Sequence, residues 1–181
     1  LKKGKIKIFK SGIDGKEQII RLVKPGGLLG YRSFLGEEFY AASATALEDA
    51  TICFVDRQDF HQVLNSNENL YVNLIKLLTQ DLRQAENMVR DMAQKPVRER
   101  VAEILLLLKD KYGVTESGDE LSEHLSVNMT REELASYVGT ATETLIRLLS
   151  DLKDEGIIET QGRKIRIVNT EALLDLSLIH I

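Results

Sequence analysis

From Gly4 to about Asp56 apolar and polar residues alternate, as in Lys5-Ile6-Lys7-Ile8-Phe9 and Ile19-Ile20-Arg21-Leu22-Val23. A period of two sends successive side chains to opposite faces of a strand. Asp14-Gly15 and Pro25-Gly26-Gly27 interrupt the alternation where turns are needed. Two further runs, Ala41 to Ala46 and Thr51 to Val55, complete the visible strands, and Arg57 to Leu64 reads as a short helix. Short strands with glycine turns predict an antiparallel β-barrel or sandwich over residues 1–66. Because the chain opens on Leu1 and Lys2 to Lys7 already approaches a strand, it reads as a fragment whose barrel is partial.

At Leu70 the period changes. Tyr71, Ile75, Leu78, Leu82, Ala85, Val89 and Met92 follow one another at alternating spacings of four and three, which is the seam of a coiled coil. A second stripe, Leu70, Leu74, Leu77 and Met88, lies beside the first and can pack back on the barrel. So broad an apolar face has two readings: a homodimer helix over residues 67–95, which the unbroken heptads favour, or the core helix of a monomer. Pro96 ends this helix and fits the first turn of the next, Val97 to Leu108, making an interdomain hinge.

Residues 96–175 carry a third pattern. A polar loop, Gly113 to Asp119, leads towards Thr130-Arg131-Glu132-Glu133, a capping box that starts a helix at Arg131. Gly139 permits a left-handed turn after Val138, and a second helix begins near Ala141 with Thr140 or Thr142 at its cap. That helix buries Leu145, Leu148, Leu149 and Leu152 and leaves Thr142, Glu143, Ile146, Arg147 and Ser150 on or near its outer face. Ile157 to Glu159 and Lys164 to Val168 alternate around Gln161-Gly162-Arg163 as a hairpin. Helix, glycine turn, helix and hairpin make a winged helix-turn-helix, so the whole is an α+β protein.

Composition removes other classes. Hydrophobic residues make up 43% of the 181 and the net charge is −4, which is globular rather than disordered. No apolar run nears the ~20 residues of a membrane span. Cys53 is the single cysteine, which excludes an intrachain disulfide and a four-cysteine zinc site and fits a reducing cytoplasm. Within its alternating strand it reads as a buried structural thiol. His61, His124 and His180 have no metal-ligand spacing, and neither a P-loop nor a Ser/His/Asp or Cys/His constellation occurs, so an enzyme has no candidate site.

The order of β-barrel, long dimer helix and winged helix-turn-helix resembles the Crp/Fnr family of bacterial transcription regulators over nearly the whole chain. Asp14-Gly15-Lys16-Glu17-Gln18-Ile19, Pro25-Gly26-Gly27, Ser43-Ala44-Thr45-Ala46-Leu47-Glu48-Asp49 and Thr130-Arg131-Glu132-Glu133-Leu134-Ala135 look like its barrel and DNA-binding signatures. Glu143-Thr144-Leu145-Ile146-Arg147 is similar to its recognition helix, which implies that Glu143 and Arg147, with Thr142 beside them, approach base edges. The spacing suits that chemistry: residues four apart share a helix face, where Arg147 can donate to guanine and Glu143 can accept from cytosine. An ordinary surface ion pair is the alternative. The module from Thr130 to Val168 is not basic overall, so phosphate contact rests on placement, by Arg131, Thr140, Arg163, Lys164 and amides at helix N-termini. The resemblance further implies a homodimer on double-stranded DNA with a palindromic site of TTGAT or TGTGA type, and RNA polymerase as a second partner.

Members that bind cyclic nucleotides carry a Gly-Glu pair and an Arg-Ser/Thr pair around the phosphate. Here Gly30 is followed by Tyr31, Ser43 is preceded by Ala42, and the dimer-helix positions near the adenine look like Ala85 and Glu86, so cyclic AMP is not the expected effector. The expected effector pocket is Gly30, Tyr31, Arg32, Ser33, Ala42 and Ser43; its Arg32 either faces an anionic ligand or is a surface arginine. Cys53 falls where the oxygen-sensing branch places one of four cluster cysteines, but this fragment supports neither an iron–sulfur cluster nor haem. The competing function is a signal-binding module that acts on a protein partner through its helix-turn-helix. Leu176 to Ile181 match neither cap nor wing and are set apart as a non-native tail, similar to adapter read-through.

Overall fold

A computed structural model describes residues 1–116 and 123–178. Strands β1 (Ile6–Ser11) and β2 (Glu17–Val23) form an antiparallel hairpin around Gly15, which takes a φ of 78°. The pairing runs Ile8 to Arg21 and then Phe9 to Ile19, so a bulge leaves Ile20 without an opposite residue. The bulge shifts the phase of β2, and Ile19 and Leu22, three apart, come to share a face with Lys7 and Phe9. Helix α1 (Tyr31–Leu35) follows, and β3 (Ser43–Ala46) pairs with the other edge of β1, giving the order β2-β1-β3.

Helix α2 (Arg57–Ser66) is capped by Asp56, and α3 (Glu68–Gln94) by Asn67. At 27 residues α3 is roughly 40 Å long. Lys95 and Pro96 separate it from α4 (Val97–Tyr112). Beyond α4 come the short strands β4 (Val114–Glu116) and β5 (Glu123–Leu125), then α5 (Arg131–Val138), α6 (Thr142–Asp154), the hairpin β6 (Ile158–Gln161) and β7 (Lys164–Ile167), and α7 (Thr170–Leu178).

Two apolar clusters hold these elements. In the larger, Phe9, Ile19 and Leu22 of the hairpin pack with Leu105 of α4, Leu134 of α5 and Leu145 and Leu152 of α6. The N-terminal sheet is thus docked on the helix-turn-helix of its own chain. In the smaller, Tyr31, Leu64 and Leu74 gather Phe34, Phe60, Leu70, Leu77 and Leu78.

Three sequence expectations are corrected. The run Thr51 to Val55 is not a strand: Thr51 makes an isolated bridge to Lys3, and Ile52, Phe54 and Val55 are exposed. Among the described residues no strand lies alongside to pair with it, and Cys53 is exposed instead of buried. Part of the expected loop from Gly113 is a strand, β4, paired with β5; 117–122 lie outside the described residues. The tail starting at Leu176 continues α7, where Leu173 is fully buried and Leu176 packs on the large cluster; 179–181 lie outside the described residues. Asn169 opens that helix by accepting from the Ala172 amide. Among the described residues no helix is long and apolar enough to cross a membrane.

Candidate nucleic-acid interface

The capping box holds the start of α5. The Thr130 hydroxyl accepts from the Glu133 amide at 3.1 Å, and the Thr130 amide donates to the Glu133 carboxylate at 2.9 Å. After Val138, Gly139 adopts a φ of 77°, and a Cβ placed on it would lie 2.7 Å from the Met92 methyl. The left-handed backbone conformation favours glycine at this turn, where the flexible Met92 side chain of α3 comes close. Helix α6 begins at Thr142 after Ala141, with no side-chain cap. Thr140 is half-buried, and its amide donates to the Ala135 carbonyl.

Helix α6 divides cleanly. Leu145, Leu148, Leu149 and Leu152 are buried, each contributing roughly 1.5–3 kcal/mol to the packing. On the opposite side Glu143, Arg147 and Ser150 are exposed, and Ile146 is 51% exposed. Neither the Glu143 nor the Arg147 side chain has a hydrogen-bond or ion-pair partner among the described residues. The ion pair that their spacing allows is not made, and both polar ends face outward.

The expected phosphate contacts separate. Arg163 is exposed in the wing turn, next to Gly162 with its φ of 58°. Lys164 is half-buried at the start of β7. Arg131 turns inward: it donates to the Gly162 carbonyl at 2.8 Å, and burial lowers its pKa below the usual arginine value. It braces the wing against the start of α5.

Contacts between the halves escaped the sequence. The Ser136 hydroxyl on α5 donates to the Glu17 carbonyl and accepts from the Ile19 amide, at 2.8 and 2.9 Å. Lys7, buried, pairs with Glu17 at 2.8 Å and with Glu133 at 3.2 Å. Burial alone would lower the Lys7 pKa, but the hydrogen bonds to Glu17 and Glu133 outweigh it and raise it above the ordinary lysine value. Arg100 on α4 donates to Met92 and Lys95 at the end of α3, and to Val138 and Gly139 at the end of α5, at 2.9–3.3 Å. One cation thereby ties together two helix C-termini, where carbonyls lack intrahelical donors. A lysine in a strand and an arginine after a proline carry no spacing signal that would have exposed these roles.

The long helix α3 presents both of its stripes. Leu74 is buried, Leu70, Leu77 and Met88 are half-buried, and all four face the rest of the chain as expected. Of the seven seam residues, Tyr71, Ile75, Leu82, Ala85 and Val89 are exposed. Leu78 and Met92 depart from the expected seam: Leu78 joins the cluster around Tyr31, and Met92 lies against the Gly139 turn.

The expected effector pocket is rearranged around a residue that sequence reasoning missed. Tyr31 is buried, and its hydroxyl donates to Asp81 of α3, which Arg21 and Arg32 also reach. Burial would raise the Asp81 carboxyl, but hydrogen bonds from Tyr31 and Arg32 and the charges of Arg21 and Arg32 hold it below the ordinary aspartate value. Gly30 caps α1 in the left-handed region, and the Ser33 hydroxyl donates to the Phe39 carbonyl. Ala42 is half-buried, and Ser43 is exposed on β3. A cavity of about 690 Å³ lies beside Asp81, lined by Arg21, Lys24, Leu74, Leu77 and Lys111 among others. Among the described residues no group of three His, Cys, Asp or Glu side chains is placed to hold a metal ion.

Comparison with known proteins agrees with this architecture. Residues 1–67 match the model of the cyclic nucleotide-binding domain, and residues 99–176 match that of the Crp-like helix-turn-helix domain. The chain is 28% identical over 170 residues to a CRP-like cAMP-activated global transcriptional regulator of Mycobacterium tuberculosis, covering 94% of this chain and 75% of that protein. It is 31% identical over 156 residues to a cyclic AMP receptor protein of Thermus thermophilus, covering 86% of this chain and 67% of that one. The structure of FixK2 from Bradyrhizobium japonicum superposes with a TM-score of 0.82 at 24% identity, covering 99% of this chain and 86% of that one, a likeness of fold. With both domains matched in order and such relatives along its length, the chain belongs to the Crp/Fnr family of DNA-binding transcription regulators.

Proposed function

We propose that the protein acts in the cytoplasm as a homodimer on a palindromic duplex, with 1–66 as a signal-sensing barrel, 67–95 as the dimer helix and 96–175 as the reader. The observation that carries the reading is the outer face of α6, where Glu143 and Arg147 lie one turn apart with no side-chain partner among the described residues. Arg147 reads guanine and Glu143 the cytosine of the same or a neighbouring pair, within the TGA of a half-site of TTGAT type. Thr142 stands beside them where a TGTGA reader would carry arginine. Arg163, Lys164 and Thr140 meet phosphates, and Arg131 contributes through the wing it braces. Two copies joined along Tyr71, Ile75, Leu82, Ala85 and Val89 would present two such helices to successive turns of DNA. RNA polymerase is the second partner.

The signal enters at the barrel, and cyclic AMP is not it. The Mycobacterium tuberculosis and Thermus thermophilus relatives are named for cyclic AMP. In this chain Tyr31 stands where their family's ribose glutamate would be, and Tyr31 and Arg32 are already engaged by Asp81. The test is a titration of the protein against palindromic and scrambled duplexes at two salt concentrations, with and without cyclic AMP. Preference for the palindrome with a steep salt slope, unchanged by cyclic AMP, is expected. Equal, salt-insensitive binding to both would favour a helix-turn-helix that contacts protein instead.

A further inference from the structure

We propose that the cavity between the turn after β2, the inner side of α3 and the end of α4 is a separate ligand site, built for a soluble aliphatic phosphate ester that carries more than one negative charge. It is not the expected effector pocket: of Gly30, Tyr31, Arg32, Ser33, Ala42 and Ser43, none lines it. The two adjoin at Asp81, which lines the cavity and holds Tyr31 and Arg32. The site does not depend on the base-reading roles given to α6.

Charge is the first observation. Arg21, Lys24, Lys76 and Lys111 line the cavity, and Asp81 is the one carboxylate among its lining residues. That carboxylate is already shared by Arg21, Tyr31 and Arg32, whereas Lys24, Lys76 and Lys111 form no ion pair among the described residues. Lys24 and Lys111 come from opposite ends of the chain's first 111 residues and meet, the Lys24 amine donating to the Lys111 carbonyl at 3.4 Å. Lys111 is half-buried, and desolvation together with the charges of Lys24 and Arg21 pushes its pKa below the ordinary lysine value. Like charges gathered in this way cost free energy that the chain itself does not return, and an anion among them would return it. Three cations from three elements suit a group with several charged oxygens, and lysine amines are point charges suited to phosphate.

The second observation is the wall beside these cations. Leu22, Val23, Leu28, Leu70, Leu74 and Leu77 supply its apolar side, and no aromatic ring lines it for a base to stack on. A volume of about 690 Å³ exceeds what a diphosphate alone would fill. The head therefore belongs at Arg21, Lys24 and Lys111, and an aliphatic body along the leucines.

The experiment titrates the whole chain with inorganic pyrophosphate and with geranyl diphosphate, by calorimetry. Both should bind saturably, one per chain, with geranyl diphosphate tighter by about tenfold or more. Lys24→Gln and Lys111→Gln should each weaken both probes about tenfold, and Lys10→Gln, exposed on β1, should weaken neither. Lys111→Gln should melt no lower than wild type without ligand, because it removes a charge held against Lys24 and Arg21; its loss of binding is then not a loss of fold. Leu28→Ser should weaken geranyl diphosphate and spare pyrophosphate. Vesicles of phosphatidic acid should leave the protein in the supernatant. No saturable binding of either probe, or affinities unchanged in both lysine variants, would overturn the site. Equal affinity for the two probes would overturn the aliphatic body, and co-sedimentation with vesicles that the lysine variants abolish would overturn the soluble ligand in favour of a lipid headgroup.

Discussion

Helices α3 and α6 are built alike on their inner sides and differently on their outer ones. Each buries a leucine stripe, Leu74 with its neighbours in α3 and Leu145, Leu148, Leu149 and Leu152 in α6. Outside, α3 carries an apolar ridge in which Ile75, Leu82 and Val89, seven apart, are 59%, 60% and 69% exposed. The outer face of α6 carries charges that have no partner among the described residues, and one isoleucine. A buried stripe says only that a helix packs on its own chain. The composition of what remains outside says what else it meets: a heptad ridge suits a second copy of itself, and separated polar ends suit the edges of bases.

Breaking the ridge gives the largest expected effect. Leu82→Asp together with Val89→Asp places charges on exposed seam positions, so the chain should stay folded yet sediment as a monomer, and lose specific DNA binding by about 100-fold or more as the second half-site ceases to help. A dimer that persists would remove α3 as the interface. Next comes the other outer face. Arg147→Ala should cost about 1–3 kcal/mol per half-site and flatten the preference for G·C, measured by titration against matched and substituted palindromes. Arg163→Ala should weaken all sequences alike and reduce the salt slope by about one. Equal loss on both duplexes with Arg147→Ala would reassign it to phosphate.

Two smaller effects sharpen the contrast by testing what joins the helices. Arg100→Met leaves carbonyls at the ends of α3 and α5 without their donor, and should lower stability by about 2 kcal/mol in thermal or denaturant unfolding. It should also weaken specific binding more than non-specific binding, because the recognition helices lose their fixed spacing. Asp81, held below its ordinary pKa, adds stability that is fully present above the unfolded aspartate value and is lost as pH falls through the lower folded value. Asp81→Asn should therefore melt at a lower temperature near pH ~7, with the difference from wild type closing towards pH ~3. A constant difference across that range would mean that the carboxylate charge contributes nothing.

The sequence determined a good deal by itself, because some features are local. The Thr130 to Glu133 capping box, the Gly139 turn, the four leucines of α6, the wing hairpin and the Pro96 break were all legible, since each is fixed by spacing within one turn or one hairpin. The exposed apolar ridge of Tyr71, Ile75, Leu82, Ala85 and Val89 on α3 was legible for the same reason. Leu78 and Met92 broke the pattern because their neighbours, Tyr31 and Gly139, lie about 47 residues away in sequence. Only the tertiary structure decided that the bulge at Ile8 and Phe9 turns Ile19 and Leu22 towards α5, that Lys7 is buried between Glu17 and Glu133, that Arg100 joins two helix ends, and that Asp81 gathers Arg21, Tyr31 and Arg32. These are partners brought together by packing, and a residue's hydrogen-bonding capacity does not name its partner. The exposure of Cys53 follows from the same rule, because an alternating run becomes a strand only where another strand lies beside it.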